Sequence, residues 1–154
     1  MTWPFRSAPP RRFVVAGILV AASALALAAC GSSPAAPTTV KLREVDVKGF
    51  GDVLAGPKGF TLYTFSLDRP NRSECTGSCL SGWPPFTVPR SAKLLLPSGV
   101  AGTAATIVRS GGATQVVFDG RPLYYFGYDT ATGDVSGQAT NNQWYAVQLP
   151  STSS

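Results

Sequence analysis

The chain has 154 residues, with thirteen Lys or Arg against eight Asp or Glu, and no histidine. The missing histidine removes the usual general base, the usual pH switch and the commonest metal ligand together. Three of the basic residues, Arg6, Arg11 and Arg12, precede an apolar run; the rest of the chain has ten basic residues against eight acidic ones and no Lys/Arg cluster, which excludes a nucleic-acid footprint.

Met1 to Arg12 is a short basic segment, and Phe13 to Ala29 is an uncharged apolar run of 17 residues ending in small side chains. Positive start, apolar middle and small residues before a cut make up the order of a secretory signal. The run is shorter than the roughly 20 residues of a stable transmembrane helix, so residues 1–29 are expected to be a signal peptide rather than an uncleaved anchor. Leu27-Ala28-Ala29-Cys30-Gly31 resembles the lipobox of bacterial lipoproteins. That resemblance implies that the Cys30 thiol carries fatty chains such as palmitate and becomes the first residue. Each buried CH₂ contributes about 0.8 kcal/mol, so several chains hold a protein at a membrane where one does not. Arg11-Arg12-Phe13-Val14-Val15 also fits a loose twin-arginine pattern, which leaves Sec and twin-arginine export both open.

Residues 30–40 are small, polar and proline-rich after the cysteine, and are expected to form a flexible tether. Residues 41–150 then form one domain, long enough to bury a core without obligatory disulfides, and 151–154 a disordered tail. Gly56-Pro57-Lys58-Gly59 predicts a turn into the strand Thr61-Leu62-Tyr63-Thr64-Phe65, which ends near Asp68. With Cys30 committed to lipid, Cys75 and Cys79 remain as a pair outside the cytoplasm, where disulfides persist. Thr76-Gly77-Ser78 can curl tightly enough to join them. So small a ring contributes only about 2 kcal/mol, which pins a loop and does not staple a fold. A redox centre is disfavoured, because the spacing is C-x₃-C and no start of a helix is evident to acidify a thiol.

Further along, Ala105–Arg109 and the stretch from Thr114 onward predict a hairpin. Asp119-Gly120 between Val116-Val117-Phe118 and Pro122–Phe126 predicts a second, through a tight type I′ turn. Tyr145–Leu149 reads as a closing strand. No segment shows a helical period, and 16 glycines with 13 prolines suit turns.

The phrase Gly59…Leu62-Tyr63…Phe65…Asp68 recurs as Gly120…Leu123-Tyr124…Phe126…Asp129 at an offset of 61, and the same offset carries Trp83 onto Trp144. This predicts a duplication. The expected fold is all-β, with two pseudo-symmetric β-hairpin repeats (about 45–88 and 105–149) packed on each other as a small sandwich or barrel. Alternation places Tyr63 with Phe65 on one strand face, and Tyr124, Phe126 and Tyr128 together on another. Such stripes are more often core than a stacking surface. Asp68 and Asp129 stand where a strand meets a polar loop, the usual place for a turn-forming carboxylate.

Tyr63-x-Phe65-x-x-Asp68 and Tyr124-x-Phe126-x-x-Asp129 both fit the Yx(FWY)xxD motif, and the chain thereby resembles a family of bacterial lipoproteins also called the secreted repeat of unknown function. Cys75-x-Gly77-x-Cys79 before Trp83-Pro84-Pro85, and Gly133-Asp134-Val135-x-Gly137, look like other parts of its two repeats. The resemblance implies extracytoplasmic, lipid-anchored tandem-repeat β-structure, and no established activity. Cys75, Cys79 and the two prolines lack counterparts in the second copy.

The expected function is therefore a non-enzymatic, membrane-anchored binding or accessory protein of the cell envelope. It is expected to be monomeric, without metal or cofactor, held to the membrane through Cys30. An envelope protein or cell-wall polysaccharide is the expected partner. The alternatives are thiol–disulfide or electron transfer at Cys75 and Cys79, and a carbohydrate-binding module. Glycoside hydrolysis by Asp68 and Asp129, and calcium at Asp68-Asn71-Ser73-Glu74, are further readings.

Overall fold

The computed structural model describes residues 36–150. The expected signal peptide, Cys30, most of the tether and the tail lie outside the described residues. No described helix is long and apolar enough to cross a membrane.

The strands are short, in chain order β1 Thr39–Lys41, β2 Arg43–Val47, β3 Gly51–Ala55, β4 Tyr63–Phe65, β5 Lys93–Leu95, β6 Ala104–Val108, β7 Thr114–Phe118, β8 Arg121–Pro122 and β9 Trp144–Ala146. The tether ends sooner than expected: Thr39 and Val40 pair in parallel with Lys93 and Leu94, drawing the chain onto the domain before residue 41. A four-residue helix, α1 Cys79–Gly82, also stands where no helical start was legible.

Each repeat opens on a hairpin, β2 with β3 and β6 with β7. The Asp119-Gly120 turn behaves as its chemistry demands. Both residues take positive φ, 45° and 76°, and bring Phe118 opposite Arg121. In the first repeat the turn is one residue longer, Gly56 N–H bonding the Phe60 carbonyl at 2.9 Å across Pro57-Lys58-Gly59.

The two repeats are interlocked rather than laid side by side. Tyr63 and Tyr124, equivalent residues of the two copies, exchange both backbone hydrogen bonds with each other at 2.8 and 2.9 Å. Outside this central pair, each copy donates its last strand to the other. β9 of the second repeat pairs with β4 of the first in the register Tyr63↔Ala146 and Phe65↔Trp144. Reciprocally, Pro85 of the first repeat bridges Tyr124 of the second. The flanking bonds repeat with the same offset: Ser66 N–H to Gln143 C=O, and Gly127 N–H to Gly82 C=O, both 2.8 Å. Small antiparallel sheets linked by such bridges form an all-β sandwich, and no barrel closes.

Because both faces of the motif strands are buried, alternation feeds two cores instead of one core and one wet face. Leu62 and Leu123 point into an aliphatic cluster with Leu54, Phe86 and Val116. Tyr63 and Tyr124 point into an aromatic cluster with Trp83 and Trp144. Each such side chain removed from water contributes about 1.5–3 kcal/mol. Both clusters, the strand pairings and the single disulfide lie within one compact unit. Residues 36–150 thus form a complete folding unit.

Candidate functional site

The repeated motif is built into the interior. The Tyr63 hydroxyl donates to Asp129 Oδ2 at 2.7 Å, and the Tyr124 hydroxyl donates to Asp68 Oδ2 at 2.9 Å. Each motif tyrosine therefore serves the aspartate of the other copy. The remaining carboxylate oxygens accept loop amides, Glu74 N–H on Asp68 at 2.7 Å and Ser136 N–H on Asp129 at 3.1 Å. Burial pushes both carboxyls above the ordinary aspartate pKa, while these donors pull against it.

The third motif residue joins a ring stack. Trp83 and Trp144 lie 3.8 Å apart between ring centroids and are tilted by only 2°. Phe65 extends the stack from Trp144 at 4.3 Å, and Phe126 from Trp83 at 4.5 Å. Tyr63 and Tyr124 meet the tryptophans edge-on. Tyrosine, phenylalanine and aspartate of the motif thus act as one clasp between copies. Tyr128, expected on the same face as Tyr124 and Phe126, is 73% exposed and touches only the outer edge of the stack, at Phe126.

Asp68 and Asp129 do not form the free carboxylate pair that a glycoside hydrolase needs. Both oxygens of each accept a hydrogen bond, one from a tyrosine of the other copy and one from an amide of its own loop. The Asp68–Glu74 loop is likewise taken up internally. Asp68 holds the Glu74 amide, Ser73 holds Tyr124 at 2.6 Å, and Arg69 and Arg72 flank the Glu74 carboxylate at 3.3 and 3.1 Å. Among the described residues no three of Cys, Asp or Glu converge as metal ligands.

Cys75 and Cys79 are joined. Cys75 is buried against the aromatic cluster, and its carbonyl accepts Arg109 Nη2 at 2.6 Å. In the second repeat a neighbouring turn is held by a carboxylate, Asp134 accepting the amides of Thr130 and Ala131, both at 2.8 Å. These bonds hold the exposed Asp134 carboxyl below the usual carboxylate pKa.

An apolar cleft of about 530 Å³ opens at the surface, and the motif residues Phe126 and Asp129 help to line it. Lys58 and Phe60 of the first hairpin line it together with Pro85 and Phe86, and Tyr125 and Asp129 join them from the second repeat. Tyr125 is half-buried, and its hydroxyl has no hydrogen-bond partner among the described residues. That oxygen rests over Gly56, where a Cβ would come within 2.1 Å of it. Burial pushes the Tyr125 pKa up to about 12, so the group remains a donor. Sequence reasoning missed this site. The available signal was where the copies differ, above all Tyr125 against Thr64 and Pro85 against Ala146.

The duplication places a second cleft, of about 230 Å³, at the equivalent position, lined by Thr64, Asp119, Arg121 and Val147 among others. It is smaller, with Arg121 where the first has Phe60 and the opposite charge, Asp119, where the first has Lys58.

The family model described as a secreted repeat of unknown function matches the chain twice, over residues 45–87 and 105–148. No curated protein and no solved structure matches it.

Proposed function

The chain belongs to the secreted repeats of unknown function, and on that premise we propose that it is a membrane-anchored, non-enzymatic binding or accessory protein of the cell envelope. Export is directed by the basic and apolar leader, and attachment is through fatty chains on Cys30. The domain then works outside the cytoplasm at the end of a short tether, where the Cys75–Cys79 bridge is stable. The binding reading rests on one observation above all. The motif residues are engaged in holding the copies together, and the apolar cleft under Tyr125 offers a concave face of ligand-binding size with a free hydroxyl.

Anchoring and binding are tested separately. Cys30→Ala, or globomycin, is expected to release the protein from the membrane fraction; unchanged retention overturns the anchor. Tyr125→Ala is expected to abolish binding of a hydrophobic fluorescent probe in the cleft while lowering the melting temperature through lost packing on Phe86, with circular dichroism showing the variant folded at the assay temperature; probe binding that survives removal of Tyr125 overturns the cleft as the site.

A further inference from the structure

Resting on that binding reading, we propose that the cleft of the first repeat takes an amphipathic carboxylate: an apolar tail between Phe60, Phe86 and Pro85, and an anionic head at Lys58 and the Tyr125 hydroxyl.

The duplicated fold acts as its own control. Seven of the eight residues lining the second cleft have offset-61 counterparts lining the first, so backbone shape is shared and side chains differ. Phe60 replaces Arg121, Tyr125 replaces Thr64, Pro85 replaces Ala146, and Phe86 replaces Val147. The second copy folds with Arg121 where the first has Phe60 and Thr64 where it has Tyr125, so the shared backbone does not itself demand those two rings. Phe86 forms the floor as a core residue, and the half-buried Phe60, Pro85 and Tyr125 leave a concave apolar patch of the kind that takes ligands.

The head group follows from charge. Lys58 stands where the second cleft has Asp119. Lys58 makes no ion pair among the described residues, whereas Asp119 already accepts the Thr103 amide at 2.8 Å. Asp129, the other charged residue of the first cleft, has both oxygens engaged by Tyr63 and Ser136. The uncommitted side-chain groups are thus the Lys58 ammonium and the hydroxyls of Thr87 and Tyr125, a set that suits a carboxylate better than an ammonium. A cleft of about 530 Å³ admits a flexible tail or a small ring system. The proposal commits to a soluble carboxylate and not to a lipid in a bilayer.

The test uses residues 36–150, the complete folding unit, titrated with dodecanoate below its micellar range and followed by amide chemical shifts and calorimetry. Dodecyltrimethylammonium supplies the same tail with a cationic head, acetate the head without a tail, and phosphatidylglycerol vesicles the membrane source. Saturable dodecanoate binding is expected, with shifts at Lys58, Phe86 and Tyr125, absent with acetate and vesicles. Lys58→Glu should weaken it about tenfold or more, and Tyr125→Phe severalfold. The cationic amphiphile binding as tightly as dodecanoate overturns the anion and leaves the cleft a binding site. Shifts with vesicles but not dodecanoate overturn the soluble source. No cleft shift with any probe overturns both this inference and the binding reading.

Discussion

Tyr63 and Asp129 belong to different copies of the same motif, yet the hydroxyl of the first lies 2.7 Å from the carboxylate of the second. The same bond runs back from Tyr124 to Asp68. A motif that pairs with its own duplicate needs two copies to be satisfied, which gives its repetition a physical reason. Tyr63→Phe and Asp129→Asn should each cost about 1–3 kcal/mol, because each strands a buried partner. In a double-mutant cycle on urea unfolding the two should couple by more than about 0.5 kcal/mol. Tyr63→Phe with Asp68→Asn, a pair from one copy, should add independently. The opposite pattern would mean that the clasp closes within repeats.

The tryptophan stack makes a second demand on a single backbone position. A Cβ on Gly137 would lie 2.7 Å from the tip of the Trp83 ring and 2.9 Å from the Phe126 ring. Those rings are held by Trp144 and Tyr63, so they have little room to yield. Gly137→Ala should therefore cost about 1–3 kcal/mol as overpacking, and alter the near-ultraviolet circular dichroism of the stacked indoles. Gly111→Ala, where a Cβ meets nothing within 4 Å, is the matched control and should change neither.

Much of this was legible from the residues alone. Asp119-Gly120 announced its turn, the offset of 61 announced the duplication, and the period-two aromatics announced buried strands. What the offset could not say is which copy each strand would pair with. A repeat fixes equivalence, not partnership, and Tyr63 could have faced Asp68 as readily as Asp129 by spacing alone. The cleft was hidden for a related reason. Lys58, Phe86 and Tyr125 are far apart in the chain and meet only because β9 and the Pro85 segment cross to the opposite copy. Thr39 and Val40 read as tether because their composition is that of the proline-rich stretch before them; pairing with Lys93 and Leu94 overrides it.

The Cys75–Cys79 bridge closes a loop that other contacts also hold. Arg109 caps the Cys75 carbonyl, and Ser73 ties the loop to Tyr124. Replacing both cysteines by alanine should lower stability by about 2 kcal/mol, the entropy of a five-residue ring, and leave the domain folded. Unfolding under dithiothreitol at neutral pH and room temperature would assign the bridge a global role instead. A domain that stays folded, with the largest loss of amide protection around residues 73–82, is the expected result.

Alkaline stability should be set by the buried phenols. Burial, followed by the bond to Asp129, raises the Tyr63 pKa far above its usual value near 10, and burial raises Tyr124 and Tyr125 to about 12. In each case the folded value exceeds the unfolded one, so the folded protein keeps protons that the unfolded chain has released. The stability these groups contribute is full below about pH 10 and is lost as pH rises above it, by about 1.4 kcal/mol per unit for each phenol. Asp68 and Asp129 have the same sign, their folded pKa values being raised by burial. Their contribution is full below about pH 4 and is lost as pH climbs through their raised values, so these two do not drive acid unfolding. Urea midpoints should accordingly hold from pH 7 to about 10 and fall steeply beyond. Tyr63→Phe, less stable at neutral pH, should fall less steeply because one of the three phenols is gone. A midpoint as high at pH 11.5 as at pH 8 would mean that the tyrosines ionise in place, and the interlocked clasp would then not be the dry interior described above.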